Sequence, residues 1–335
     1  MNIFNKLGLT LAIIATANPL FAQDANPIKW SVSLGSGQTT FERTTLITQD
    51  AGQSLKTEEV DFSPTMFTLG ARSGKHSFSV ATNVADEDNL SLGGSYYSEF
   101  ENPAMTSDYS DTSLTYTYSP GGSWSKWRLS LGYTTVSMDE TTSEIYTYDN
   151  FLSNDGDAWQ WADSTTASTE RSGTTALVSY VQQLGESGKV FAVARLGIIA
   201  QDYENKISGT SRVSGVDQAT ENIFLGNTDV SVSSPNFING DGWDVSGTTE
   251  GDSTTGIFGF SVIYVLANPR HSLNFDYSVR ENDYGDLSGQ PGYTIKNGLL
   301  TSGVSNIAAT NEPITGEDID ETISSFSIKW RYSLN

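Results

Sequence analysis

The 335-residue sequence contains no cysteine, so it can form neither a disulfide framework nor a thiolate metal site. It has only two histidines, and 18 basic residues stand against 40 acidic ones, for a formal net charge of −22. This balance argues against a nucleic-acid partner, because phosphates bind to basic surfaces. Beyond the N-terminal segment, no stretch approaches the roughly 18 apolar residues of a membrane-spanning helix.

The first 22 residues have the pattern of a secretory signal peptide. Lys6 supplies a positive charge, residues 7–17 are apolar, and residues 18–22 form a cleavage region before Gln23. We therefore predict a signal peptide at 1–22 and one transmembrane β-barrel domain at 23–335.

Apolar and polar residues alternate in ten segments, which indicates β-strands that expose one face to an apolar environment. Eight of the segments form pairs that are joined by short connections rich in Gly, Pro, Ser and Asn. The first and the last segment have no such neighbour, and we expect them to pair with each other and close the sheet. The predicted strands are 28–40, 64–72, 76–84, 112–119, 127–138, 176–184, 190–200, 255–267, 271–280 and 322–334.

The remaining five connections are long and acidic. They contain 37 of the 40 acidic residues but only six of the 18 basic ones. Short turns on one side and long loops on the other are typical of bacterial outer-membrane barrels. We predict an all-β fold, a closed antiparallel transmembrane β-barrel of about 10 strands, with short periplasmic turns and long acidic extracellular loops. Twelve strands is the alternative, because 90–97 also alternates. The predicted loops are 42–61, 86–111, 139–171, 202–252 and 281–321.

The alternation also predicts which side chains face the lumen. The last strand has Phe326, Ile328 and Trp330 on one face and serines and cations on the other. In a membrane the apolar face turns outward and the polar face inward. The charged lumen-lining candidates are then Lys29, Arg72, Arg128, Asp276, Arg280, Lys329 and Arg331. Bulky aromatics near the short-turn end predict a membrane-interface aromatic girdle of Trp30, Trp127, Trp330 and Tyr332.

With the signal ending at Ala22, the alternation of short turns and long loops, and the terminal strand 326–334, the chain resembles Gram-negative outer-membrane β-barrel proteins as a class. The resemblance implies location in the cell outer membrane and insertion by the barrel-assembly machinery. It also implies contact with outer-membrane lipid and lipopolysaccharide.

Catalytic groups are scarce. His76 and His271 each begin a strand just after a short turn, whereas omptin surface proteases need a His–Asp pair near the outer mouth. Outer-membrane phospholipases need a His–Ser pair, and a serine nucleophile needs a base. We therefore expect no enzymatic activity and no cofactor.

Two acidic glycine-containing segments, 154–157 and 239–244, could present oxygen ligands to Ca²⁺. Their weak candidates are Asp155, Asp157, Asp241 and Asp244. The alternative to a defined Ca²⁺ site is that both segments are solvated turns. Ca²⁺ or other divalent cations would then screen the acidic loops diffusely.

Two functions fit these features. One is a non-enzymatic surface barrel whose acidic loops attract cations and face an unspecified extracellular ligand. The other is a narrow, porin-like passive channel for small solutes or ions, in which the mostly basic lumen-lining residues prefer anions. A hydrolase is the least favoured class. A barrel of about ten strands is nearer in size to filled barrels than to open porins, so we favour a packed polar lumen.

Overall fold

The computed structural model is all-β. It describes residues 27–49, 52–93, 101–122, 125–149, 158–215, 221–225, 228–232, 241–289, 292–296 and 319–334. The predicted signal peptide and the segment containing Asp155 and Asp157 lie outside the described residues. The strands are β1 (Lys29–Gln49), β2 (Gly52–Phe62), β3 (Thr65–Ser73), β4 (His76–Gly93), β5 (Glu101–Tyr118), β6 (Trp127–Asp149), β7 (Ala158–Leu184), β8 (Val190–Gly215), β9 (Glu221–Leu225), β10 (Thr228–Val232), β11 (Asp241–Val265), β12 (His271–Ser288), β13 (Gly292–Lys296) and β14 (Ile319–Ser333).

Ten strand positions close into an antiparallel ring, as predicted. The order around the ring is β14, β1, β2 with β3, β4, β5, β6, β7, β8, β11 and β12, and β12 pairs with β14 to complete it. The two terminal strands do pair, from Ser31 opposite Ser333 to Thr45 opposite Ile319. The additional strands lie outside the ring positions: β13 pairs with the first residues of β11, and β9 pairs with β10 in a separate hairpin.

One ring position is shared by two strands. Both β2 and β3 pair with β1 on one side and β4 on the other. Between them lie Ser63 and Pro64, and Pro64 is fully buried. A proline has no N–H to donate to the ladder, so it interrupts a strand where it falls.

Strands occupy much of the sequence that we assigned to loops, so the predicted loops were too long and the predicted strands too short. β7 has 27 residues and pairs with β8 from Trp159 opposite Gly215 to Leu184 opposite Val190. A tilted strand crosses a bilayer with roughly 9–11 residues, so the barrel wall continues far beyond an apolar layer. The alternating segment 90–97 extends β4 as far as Gly93. In these regions the outward face is largely polar and the inward face mixes polar residues with a few apolar ones, such as Met105 and Tyr109. Hydrophobic alternation therefore did not reveal the strands there.

Outward and inward side chains differ as the alternation predicts. Leu131 and Leu196 face outward and are 61% and 62% exposed. Small polar side chains face inward and exclude solvent: Thr255 is 1% exposed and Ser261 is fully buried. In β8 the inward Ile199 is also buried. Both faces of β8 are apolar here, and the sequence alone left the orientation of this strand ambiguous.

Four short turns join the strands at one end, which we call the short-turn end. They lie between β3 and β4, β5 and β6, β7 and β8, and β11 and β12. In the tightest, Gly74 has a φ of 54°, a left-handed conformation that glycine adopts without steric cost. The described part of the chain contains no helix of the length and hydrophobicity needed to cross a membrane.

Candidate functional site: the lumen and the outer rim

All seven predicted lumen-lining residues occupy inward positions. Five of them lie on the adjacent strands β12, β14 and β1: Lys29, Asp276, Arg280, Lys329 and Arg331. Asp276 contacts Arg195 at 3.1 Å and Lys329 at 3.6 Å. Arg280 instead pairs with Asp111 at 2.9 Å. The other four lie near the short-turn end: Lys29, Arg72, Arg128 and Arg331.

The bridge between Arg280 and Asp111 crosses the whole lumen. Arg280 belongs to β12 and Asp111 to β5, which are five positions apart in the ten-position ring. The Asp111 side chain is 5% exposed and that of Arg280 is 25% exposed. Opposite walls are therefore in direct contact.

A second group of contacts centres on Glu321 of β14. Its carboxylate pairs across the lumen with Arg171 of β7 at 2.6 Å. It also pairs with Arg43, its direct neighbour on β1, at 2.8 Å. The Asn282 side chain also donates a hydrogen bond to it. Arg171 donates a further hydrogen bond, of 2.8 Å, to the hydroxyl of Tyr284 on β12. These residues form a network that ties four strands together.

The electrostatics of this network depend on burial. The side chains of Glu321 and Arg171 are 2% and 3% exposed. Burial by itself would raise the pKa of Glu321, but Arg171 and Arg43 hold that pKa well below its usual range. The carboxylate therefore stays ionised, and its charge is compensated by hydrogen-bonded cations.

Apolar side chains fill the lumen beside the network. Phe41, Phe62 and Tyr109 pack with ring centroids 5.4 to 5.5 Å apart. Met138 of β6 and Ile323 of β14 belong to the same buried cluster. Aromatic rings in such contacts bury large areas and interlock in fixed geometries. The cluster and the Glu321 network together occupy the interior of the barrel.

Sequence analysis missed four charged members of these interior contacts because it placed them in loops: Arg43, Asp111, Arg171 and Glu321. For two of them, the spacing from a neighbouring apolar residue indicated an inward position. Arg43 follows the inward Phe41 by two residues, and Glu321 precedes the inward Ile323 by two. Both continue the inward phase of a predicted strand.

The predicted aromatic girdle residues lie on the outward face at the short-turn end. Trp127 is 58% exposed and its ring contacts Tyr180. Trp330 is 38% exposed and stacks on Tyr332. Trp30 is opposite Ala71 in the adjacent strand.

Both histidines lie on the same outward face at this end. His76 stacks on Tyr116, and its Nδ1 is 2.6 Å from the Tyr116 hydroxyl. His271 stacks on Trp330. Neither ring faces the lumen or the carboxylates at the other end.

Part of the second predicted metal segment is described. Asp241 and Asp244 lie on β11, paired with Val213 and Thr210 of β8. Residues 239 and 240 lie outside the described residues. Among the described residues, no group of three or more histidines and carboxylates is placed to hold a metal ion.

Carboxylates crowd the outward face beyond the apolar band. Asp108 is opposite both Asp86 and Asp139 in the neighbouring strands. Glu204 is likewise opposite both Glu170 and Glu250. Like charges that face each other directly across a strand pair repel. Most of this group also lines an open groove of about 1110 Å³. We call the group the outer rim: Asp86, Asp108, Asp139, Glu170, Asp202, Glu204, Glu250 and Asp252.

Ten antiparallel strands closed on themselves, with apolar side chains turned outward, give the chain the fold of an outer-membrane β-barrel. No family model and no curated protein matches the sequence.

Several solved structures are similar to it at low identity. The outer membrane protease OmpT from Escherichia coli is 8% identical, with a TM-score of 0.49 over 92% of this chain and 97% of that chain. The translocator domain of the autotransporter NalP from Neisseria meningitidis is 8% identical, with a TM-score of 0.33 over 98% and 97%. The Pseudomonas putida toluene transporter TodX is 9% identical, with a TM-score of 0.28 over 92% and 89%. These likenesses carry no information about the activity of this chain.

Replacing Glu321 tests the role of the lumen network. Glu321→Gln leaves Arg171 and Arg43 buried without their counter-charge, and we expect a loss of about 3–5 kcal/mol in the free energy of unfolding. Urea titration of the folded protein in detergent micelles measures it. Asp320→Asn is the matched control, because Asp320 is the adjacent residue and is exposed. Equal effects of the two substitutions would contradict a specific role for the network.

A neighbouring carboxyl predicts a pH dependence. Glu140 faces inward on β6, beyond the apolar band, and burial raises its pKa from 4.5 to about 7. The folded protein then keeps a proton that the unfolded chain releases near pH 4.5. Stability therefore falls as pH rises from about 4.5 to about 7. We expect Glu140→Gln to remove that decline and to stabilise the protein above pH 7 by on the order of 2 kcal/mol.

Urea titrations between pH 5 and pH 8 measure this effect, and Glu186→Gln, in an exposed turn, serves as the control. A decline of the same size in the Glu140→Gln variant would show that another group causes it.

Proposed function

We propose that the protein is a non-enzymatic β-barrel of the Gram-negative outer membrane, closed to ion flow, whose outer rim attracts cations at the cell surface. The observation that carries the proposal is the Arg171–Glu321 ion pair, because it joins β7 and β14 across the lumen, where an open channel would need water. Solvent exposure supports it: Thr255 and Ser327, which face inward, are 1% and 3% exposed.

The order of side chains along the strands supports the membrane location. On β6 the outward residues pass from Trp127, Leu129 and Leu131 through Ser137 to the rim residue Asp139. An apolar band next to an aromatic girdle is the pattern of a lipid-facing barrel surface. In this arrangement the short-turn end faces the periplasm. The rim then lies at the outer surface, near the phosphates of lipopolysaccharide.

The charge of the rim supports cation attraction. Its carboxylates are paired with one another across the strands, and these contacts are destabilising unless counter-ions screen them. Divalent cations screen such groups efficiently, and they could also bridge the rim to anionic lipid. Lys206 forms an ion pair with Glu204, but its side chain is 60% exposed and neutralises one carboxylate at most.

Planar-bilayer recording tests closure. We expect the folded protein to give no reproducible single-channel steps in concentrated KCl, because side chains from opposite walls fill the lumen. A shift in gel mobility between heated and unheated samples of the same preparation shows that the barrel is folded. Regular steps from folded protein would overturn the closed barrel and favour the narrow channel.

Cation attraction is tested at Asp139. Asp139→Asn removes one carboxylate from the row that it forms with Asp108, so we expect stabilisation of about 0.2–1 kcal/mol at low ionic strength without divalent cations. Added Ca²⁺ or Mg²⁺ should abolish this difference, because it screens the same repulsion in the unsubstituted protein. Urea titrations with and without the cation measure both effects.

Glu186→Gln is the matched control, since Glu186 is exposed in the turn at the opposite end. If divalent cations leave the advantage of Asp139→Asn unchanged, the rim does not attract them.

A further inference from the structure

The lumen at the short-turn end is strongly basic. Six cations occupy inward positions there, with Asp276 as the carboxylate among them. The strand register places them around the lumen: Lys29 is opposite Arg72, and Ser179 lies between Arg128 and Arg195 on its two neighbouring strands. We call this region the basic vestibule: Lys29, Arg72, Arg128, Arg195, Lys329 and Arg331.

The vestibule is more accessible to water than the lumen beyond it. The side chains of Arg195 and Lys329 are 38% and 24% exposed. Farther along the lumen, Gln201 is 8% exposed and Thr255 only 1%. A solute that enters from the short-turn end therefore reaches the cations first.

The positive charge of the vestibule is poorly compensated. Asp276 is already engaged by Arg195, Lys329 and the Ser261 hydroxyl. Among the described residues, no carboxylate forms an ion pair with the remaining guanidinium groups, those of Arg72, Arg128 and Arg331.

Two of these groups also have unused hydrogen-bond donors. Nη2 of Arg72 and Nε of Arg128 are buried and have no partner. Arg331 donates a hydrogen bond of 3.1 Å to Ser31. Arg128 is also within electrostatic range of Arg72, Arg331 and Arg195, which repel it.

A buried donor without an acceptor and a set of facing like charges are both unfavourable. An oxyanion relieves both, because its several oxygens accept from more than one arginine and its charge offsets theirs. The planar guanidinium group is well matched to phosphate, which it can bind through two parallel hydrogen bonds.

We propose that the basic vestibule is a binding site for a soluble oxyanion of the phosphate type, held by Arg72, Arg128 and Arg331. The ligand is soluble rather than a lipid headgroup because these side chains line the inward face, whereas lipid meets the outward face. The proposal goes beyond the proposed function and does not depend on the outer rim.

Calorimetric titration of inorganic phosphate into the folded protein in detergent micelles tests the site. KCl holds the ionic strength constant, so that simple screening is separated from binding. We expect saturable binding, and we expect Arg128→Gln and Arg72→Gln each to weaken it by about tenfold or more. Arg270→Gln is the matched control, because Arg270 is exposed in a short turn at the same end, outside the lumen. Absence of saturable binding, or equal affinity in all variants, would overturn the proposal.

Urea titration shows that a loss of binding is not a loss of folding. Without phosphate, Arg128→Gln should be at least as stable as the unsubstituted protein, since it removes one of several repelling charges. Phosphate should raise the unfolding midpoint of the unsubstituted protein and of Arg270→Gln, because a ligand that binds only the folded state stabilises it. It should leave Arg128→Gln nearly unchanged. The same rise in all three proteins would show screening alone and contradict the site.

Discussion

The contact between Glu321 and its arginines follows from the width of the barrel. In a closed ring of ten strands, inward side chains from opposite walls meet near the axis. A carboxylate in that position loses its water, and nearby cations must compensate its charge. In the outer half of the lumen, Arg171 reaches Glu321 from across the ring and Arg43 from the neighbouring strand. Arg280 reaches Asp111 from the opposite wall. The closed lumen that we propose, and with it the absence of a pore, depends on these pairs.

The same strands sort their charges by face. Glu321 and Glu140 face inward, and burial by itself raises the pKa of both. The pKa of Glu321 is nevertheless lowered because arginines pair with it, whereas burial dominates at Glu140. Their neighbours Asp320 and Asp139 face outward and are exposed. Adjacent residues of a strand point to opposite faces, so moving a carboxylate by one position changes it from an interior group to a surface charge.

The two ends of the barrel differ in sign. The outer rim is a surface of carboxylates beyond the apolar band, whereas the basic vestibule is a recess of cations inside the short-turn end. If the middle of the lumen is closed as we propose, each end meets its own solutes. The two proposals together then describe a barrel that binds at both ends without transport between them.

The sequence by itself determined the ten strands, the pairing of the terminal strands, the short turns and the inward phase of residues such as Arg128 and Asp276. These features follow from local alternation and turn residues, which depend on neighbours along the chain. Only the tertiary structure decided how far the strands extend, since backbone pairing needs no hydrophobic face. It also decided that Arg171 meets Glu321 and that Arg72 and Arg128 keep unpaired donors. Those contacts join residues far apart in the chain, and the closure of the ring sets which of them meet.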